Sequence, residues 1–444
     1  MRNNPLYSGT LATLISFALV FPTWALTPNS TSDGPQKSVP MEEVQRFSNA
    51  INEIKKYYVK PVDDQELFNN AIRGMLNGLD PHSAYLDEDA FKDLQTSTSG
   101  EFGGLGIEVT MEEGVVKVVT PLIDTPAFRA GIKAGDYIIK LGDKSVQGIT
   151  LQNAVEMMRG KQGTTIDLTV LRKGEPKPLN FSLVREKILI KSVKSKLLDG
   201  NYGYIRLTQF QAMTAQDMEN AIAQLKQEAG GKLKGLILDL RNNPGGLLDS
   251  AIQVSDDFID NDKKDPNELI VYTQGRLPGS RFTAIANPGD ILDNAPMVVL
   301  INNGSASASE IVAGALKDNK RAIILGTRSF GKGSVQTVLP LDEKRAIKLT
   351  TALYFTPSGT SIQAKGITPD IIIEEMEIPK EAAAKSPFAG FSEADLNGHL
   401  ATPTNPAEQA INEQYAKDDN ALLHEDYQLY AALTILKGLS VAKQ

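Results

Sequence analysis

Residues 297–336 read MVVLINNGSASASEIVAGALKDNKRAIILGTRSFGKGSVQ, and the rest of the chain is organised around them. An apolar strand, Met297 to Ile301, runs into a turn of small residues, Asn302 to Ser309. A helix follows from Glu310 to Lys317, then a second apolar strand, Ala322 to Leu325, and a glycine-flanked lysine, Gly331-Lys332-Gly333. Strand, helix, strand is the repeating unit of an α/β core. Two reactive groups fall within it. A serine hydroxyl needs a neighbouring base at neutral pH, and lysine can be that base only when burial destabilises its ammonium. The serines lie where strand becomes helix, and there backbone N–H groups and the helix dipole favour a developing oxyanion. This order of groups suits acyl transfer.

Three other readings use the same residues. Ser307-Ala308-Ser309-Glu310 fits the S-x-x-E capping box, in which the serine only closes a first helical turn. Gly326 to Lys332 spells G-x-x-x-x-G-K, the opening of a phosphate-binding loop. Gly333 stands where that loop needs Ser or Thr, however, and Val335 to Leu339 and Ala346 to Phe355 read as strands where it needs a helix. Lys332 also fits an ordinary solvated lysine.

Gly304-Ser305-Ala306-Ser307-Ala308-Ser309-Glu310, with Phe330 to Gln336 downstream, resembles the carboxyl-terminal processing proteases, the Ser–Lys peptidases also called tail-specific proteases. The resemblance implies that Ser307 is the nucleophile, Lys332 its base, and Gln336 a residue that orients the lysine. Both motifs match without substitution, and the separation of 25 residues from 307 to 332 agrees with the family. Asp239-Leu240-Arg241-Asn242-Asn243-Pro244-Gly245-Gly246 matches a third motif, whose glycine turn donates an oxyanion N–H in the family. Gly246 (or Gly245) and Ala308 are therefore the expected donors. The likeness extends from about Val44 to Glu375.

A chain of 444 residues with 41% hydrophobic content supports more than one core, and its length points to two or three domains. A net charge of −8 without a Lys/Arg run argues against a nucleic-acid partner. The N-terminus carries Arg2 and then no charge until Asp33, with an apolar run from Leu11 to Val20 and small residues around Thr23-Trp24-Ala25. That reads as a secretory signal, residues 1–25, cleaved after Ala25. The run is shorter than the roughly 18–20 residues of a spanning helix, so a soluble or membrane-peripheral periplasmic protein is expected. There is no cysteine, hence neither a thiol nucleophile nor a lipid-anchor cysteine.

Residues 26–40 read as a linker. In the helical region 41–95, Val44, Phe47, Ile51, Ile54 and Tyr58 form one apolar stripe on a helix from about Met41 to Val59, either packed within the chain or forming a dimer seam. A second helix is expected from Asp64 to Leu76, and His82 lies in a turn. Residues 96–186 shift to glycines and short alternating strands. Gly103-Gly104-Leu105-Gly106-Ile107, Pro126 to Ile132, Gly135-Asp136 and Gly142 together resemble a PDZ module. That likeness implies that Gly104, Leu105, Gly106 and Ile107 receive a peptide's terminal carboxylate, with the peptide pairing beside Ile107 to Thr110. Residues 187–375 return to apolar strands and helices, an α/β core. Residues 376–406 read as a connector. Within 407–444 a final helix, about Asn420 to Leu439, is expected to dock on another subunit or a partner.

Only His82, His399 and His424 could serve a Ser–His–Asp hydrolase, and the G-x-S-x-G elbow is absent, which independently favours lysine as the base. No zinc pattern is present, and no metal or cofactor is expected. The whole reads as a mixed α/β protein: an α/β protease core with an inserted β-rich PDZ domain and helical segments at both ends. The expected function is an exported serine endopeptidase acting on proteins or peptides with free C-termini, with or without an adaptor protein, as a homo-oligomer through its terminal helices. The rival is an inactive periplasmic PDZ scaffold.

Overall fold

The structure, a computed structural model, describes residues 39–442 except 113, 123, 262–267, 278–279, 377 and 379–420. The expected signal peptide, most of the linker and nearly all of the connector lie outside the described residues. The chain divides into two compact units, Met1–Phe68 and Asn69–Gln444. In the first, the helix Met41–Tyr57 has no buried residue, and Phe47 meets Phe68 with ring centroids 6.4 Å apart.

The second unit is built on a six-stranded sheet. Its spatial order is Val193–Leu198, Tyr202–Leu207, Gly235–Asp239, Met297–Ile301, Ile323–Gly326 and Ile371–Ile372. The first pair is antiparallel and every later pair parallel. Parallel strands need helical crossovers and are covered on both faces, which is why Gly235–Asp239 and Met297–Ile301 are buried at every residue. Leu236, Leu238, Val299 and Ile301 face the helices Thr214–Glu228, Leu248–Asp256 and Ala308–Asp318. Ile237, Val298 and Leu300 face the opposite way, onto Leu429, Ala432, Leu433 and Leu436 of the last helix, Tyr427–Ala442.

This corrects the expectation for the C-terminal helix, whose apolar face is spent within the chain. A sheet with continuous apolar strands exposes two greasy faces, and this helix is what covers the second. Arg241 adds a charged clasp, donating to Asp426 at 2.7 and 2.9 Å and to Gln428 at 3.0 Å.

The strands Ile107–Glu112, Val115–Pro121, Tyr137–Leu141, Thr165–Leu171 and Leu179–Val184 form a separate antiparallel sheet with its own core around Val118, Ile138, Leu168 and Ala154. The chain enters and leaves it through Glu101–Gly104 and Glu186–Leu189, which pair antiparallel, so the β-rich module is an insertion. A third sheet joins Ala84–Leu86, Ala346–Phe355, Leu269–Gly275 and Thr283–Ile285, with Ser334–Pro340 on the other edge of Ala346–Phe355. The helix expected to start at Glu310 starts two residues earlier, at Ala308.

Candidate active site

The three serines of the 305–309 turn have different fates. Ser305 is fully buried, its hydroxyl donating to the Leu240 carbonyl at 2.8 Å and accepting the Asn302 N–H at 3.0 Å. Ser309 is fully buried and donates to the Asn243 carbonyl at 2.9 Å. Both tie this turn to the 239–246 turn. Ser307 alone lines the adjoining cleft. Its backbone, φ 56° and ψ −114°, lies where a non-glycine residue is strained, as at the strand-to-helix elbow of G-x-S-x-G hydrolases, although that spacing is absent here.

Glu310 holds that conformation. Its carboxylate is fully buried and accepts the Ser307 N–H at 2.8 Å. The Glu310 N–H in turn donates to the Ser307 carbonyl at 2.8 Å, and the Ser307/Glu310 capping box expected from sequence is formed. The same carboxylate accepts the Ser329 hydroxyl and the Gly331 N–H, both at 2.6 Å, and the Lys332 N–H at 2.9 Å. The G-x-x-x-x-G-K turn therefore does bind an anion, but the anion is the protein's own glutamate. A strand follows it, as expected against the phosphate-loop reading. From sequence Glu310 reads only as a helix cap; its place as the joint between the serine turn and the lysine loop comes from the tertiary structure.

Ser307, Ala308, Gly246, Lys332 and Gln336 line one cleft of about 490 Å³, whose largely apolar walls include Phe91, Leu94, Leu247, Ile311 and Tyr354. Gly245 and Gly246 both have positive φ, and a side chain on Gly246 would strike the Phe210 carbonyl at 2.0 Å. Of the two candidate glycine donors, the Gly245 N–H is taken by Asn243 Oδ1 at 2.9 Å, while the Gly246 and Ala308 N–H groups donate to nothing among the described residues.

Burial pushes the Lys332 ammonium below the ordinary lysine value; Lys348 pushes the same way by repulsion, and Glu310 opposes both. Burial likewise lowers His82, helped by Lys332 and Lys348. This residue, read from sequence as a turn, lies close enough to feel the lysine but does not line the cleft. Tyr354, also missed, bonds the Lys332 carbonyl through its hydroxyl, and burial raises its phenol against the pull of Ser307. Gln336 sits at a β-bulge, a device that re-aims a side chain, and its amide N–H₂ donates to Ser334 Oγ at 2.9 Å and to Thr350 Oγ1 at 3.3 Å.

In the inserted module, the Leu105 and Gly106 carbonyls accept the N–H groups of Ala127 and Leu122 at 3.0 and 2.8 Å, which fixes the 104–107 turn. Gly106 has φ 72°, and a Cβ there would lie 2.2 Å from Thr125 Cβ.

Residues 201–373 match Peptidase family S41, residues 103–183 a PDZ domain, and residues 24–90 the activating protease CtpB N-terminal domain. A carboxy-terminal-processing protease of Bartonella bacilliformis is 45% identical over 425 residues, 96% of this chain and 94% of its own. The chain belongs to the carboxy-terminal processing proteases of family S41. It is a serine-type peptidase with a PDZ domain, and its substrates are proteins or peptides. The carboxy-terminal processing protease CtpA of Bacillus subtilis is 35% identical over 409 residues, 91% of this chain and 84% of its own. The solved structure of the photosystem II D1 C-terminal processing protease is 31% identical, covering 73% of this chain and 86% of its own, with a TM-score of 0.43. No helix among the described residues of this protease is long and apolar enough to cross a membrane.

Proposed function

We propose that this protease is exported, selects protein chains by their C-terminal tails through its PDZ turn, and cleaves them with a Ser307–Lys332 dyad. The observation that carries this reading is that Ser307, alone of the three turn serines, opens into the cleft that also holds a half-buried lysine whose ammonium desolvation pushes below its ordinary pKa. Neutral Lys332 takes the Ser307 proton as Oγ attacks the scissile carbonyl, and returns it to the leaving amine. The Ala308 and Gly246 N–H groups stabilise the oxyanion, and Gln336 orients the lysine. The apolar walls suit an extended, unfolded chain. Association through the Met41–Tyr57 helix, export to the periplasm and use of an adaptor belong to the same proposal.

A serine-reactive fluorophosphonate tests it: labelling is expected at Ser307, and lost in Lys332→Ala with the fold intact. An unlabelled Ser307 in the folded wild-type protein would favour the inactive scaffold.

The pH profile gives a signed prediction. The reaction needs the neutral amine, so the rate rises with pH through the Lys332 pKa. Lys348→Gln removes a positive neighbour, raises that pKa, and should move the acid limb of kcat/KM to higher pH. A limb that moves down, or stays, counts against Lys332 as the base.

Gly106→Val adds a clash and an unfavourable backbone angle at the carboxylate turn. Affinity for a peptide bearing a substrate tail should fall by at least about tenfold in calorimetry. The same peptide, added separately, should stimulate cleavage of an untailed reporter by the wild type but not by Gly106→Val, because a ligand shifts an equilibrium only through differential affinity. Unchanged cleavage despite measured binding would make the PDZ module a passive tether.

A further inference from the structure

The turn Asp80-Pro81-His82-Ser83 is far from the dyad in sequence but reaches Gln336 through one residue. Asp80 Oδ1 accepts the His82 and Ser83 N–H groups at 2.8 and 2.9 Å, and Oδ2 accepts the Ser83 hydroxyl at 2.6 Å. Oδ1 also accepts the Thr350 hydroxyl at 3.1 Å, while Ser83 Oγ accepts the Thr350 N–H at 3.1 Å. Thr350 is the cross-strand partner of Gln336 and receives its amide Nε2. Although burial pushes the other way, the Ser83 hydroxyl, the two backbone N–H groups and Thr350 hold the Asp80 pKa down at about 2, so the group is an acceptor-only carboxylate at neutral pH.

The direction of each proton follows. A threonine hydroxyl has one proton, and Asp80 takes it. Thr350 Oγ1 can then only accept, so the Gln336 end that meets it is the N–H₂, which also donates to Ser334 Oγ at 2.9 Å, and Oε1 faces away. That matters to a lysine base. A neutral amine has one lone pair and two N–H donors, and the lone pair points at Ser307 only if the N–H groups are held elsewhere. An amide oxygen holds an N–H; a flipped amide would offer its own N–H to the lone pair and compete with Ser307.

We propose that Asp80 is a positioning residue of this protease, acting through the Thr350 hydroxyl to fix which end of the Gln336 carboxamide faces the lysine. The inference rests on the Ser307–Lys332–Gln336 reading above. The test uses steady-state cleavage of fluorescently labelled casein by the full-length protein and variants. Thr350→Val, which removes only the hydroxyl, should lower kcat about tenfold with KM changed less than about twofold. Thr350→Ser, which restores the hydroxyl, should recover most of that loss. Asp80→Ala should lower kcat similarly, and in a Gln336→Ala background should add less than about twofold, since residues acting through one another are not additive. Wild-type kcat in Thr350→Val, or no recovery in Thr350→Ser, overturns the relay; so does an Asp80→Ala effect that multiplies fully onto Gln336→Ala. If Asp80→Ala does not fold, the Thr350 pair decides alone. If Ser307→Ala or Lys332→Ala retains activity, the dyad reading fails and takes the relay with it. If those two are inactive while the Thr350 variants match wild type, only the relay fails.

Discussion

Ser307→Ala and Lys332→Ala each bring proteolysis down by about 10⁴-fold or more, because a nucleophile and its base act as a unit and either loss removes nearly the whole effect. Neither change should disturb folding, since each removes a side chain that lines the cleft rather than one that ties turns together. The neighbouring serines should behave in the opposite way. Ser305→Ala leaves the buried Asn302 N–H without its partner and removes one of the donors to the Leu240 carbonyl, at a cost of about 1–3 kcal/mol in stability. Ser309→Ala loses a single bond to Asn243, about 1 kcal/mol. Cleavage of an unfolded reporter, measured beside urea denaturation, separates the two kinds of serine. An inactive but stable Ser305→Ala would place the nucleophile at Ser305 instead of Ser307.

Glu310→Gln is expected to be the most damaging conservative change in the chain. The carboxylate takes four donors on two oxygens in a fully buried site: the Ser307 and Lys332 N–H groups on Oε2, and the Ser329 hydroxyl and Gly331 N–H on Oε1. A carboxamide must turn its N–H₂ toward one of these pairs, where donor meets donor and two bonds are lost. The cost is about 3–5 kcal/mol, the range for breaking one side of a buried charged network. The change also loosens the strained Ser307 backbone and the lysine loop together, so kcat should fall in whatever fraction remains folded. Electrostatics supply an independent sign. Glu310 raises the Lys332 pKa, and removing its charge should shift the acid limb of the rate profile to lower pH, opposite to Lys348→Gln. Wild-type stability in Glu310→Gln would show that Glu310 does not join the two turns; a limb shifted upward would show that its charge does not raise the Lys332 pKa.

Much of the site was legible because its chemistry is local. Strand, small-residue turn and helix lie within 297–318, and the helix start fixes the N–H direction at Ala308 whatever packs around it. The lysine loop reads from sequence as lying between strands because the alternation of Val335 to Leu339 marks a strand with or without a partner. Sequence alone could not tell that the Gly245 N–H is occupied, since that turns on where Asn243 Oδ1 points.

The sequence alone carries the elements around 297–336, the insertion of a β-rich module, and the turn and loop that hold Ser307 and Lys332, but it leaves the helices Glu88–Ser99 and Leu248–Asp256 and the strand Leu269–Gly275 unmarked. Hydrophobic period reports which face of an element is buried, and turn chemistry reports where the chain reverses. Neither names the partner across the interface. The tertiary structure alone decided that the last helix covers the second face of the central sheet, that Glu310 joins the serine turn to the lysine loop, and that Asp80 meets Thr350 across 270 positions of chain. These contacts depend on charge and shape meeting at a distance in sequence, where a buried carboxylate is stabilised only once the fold has brought its donors around it.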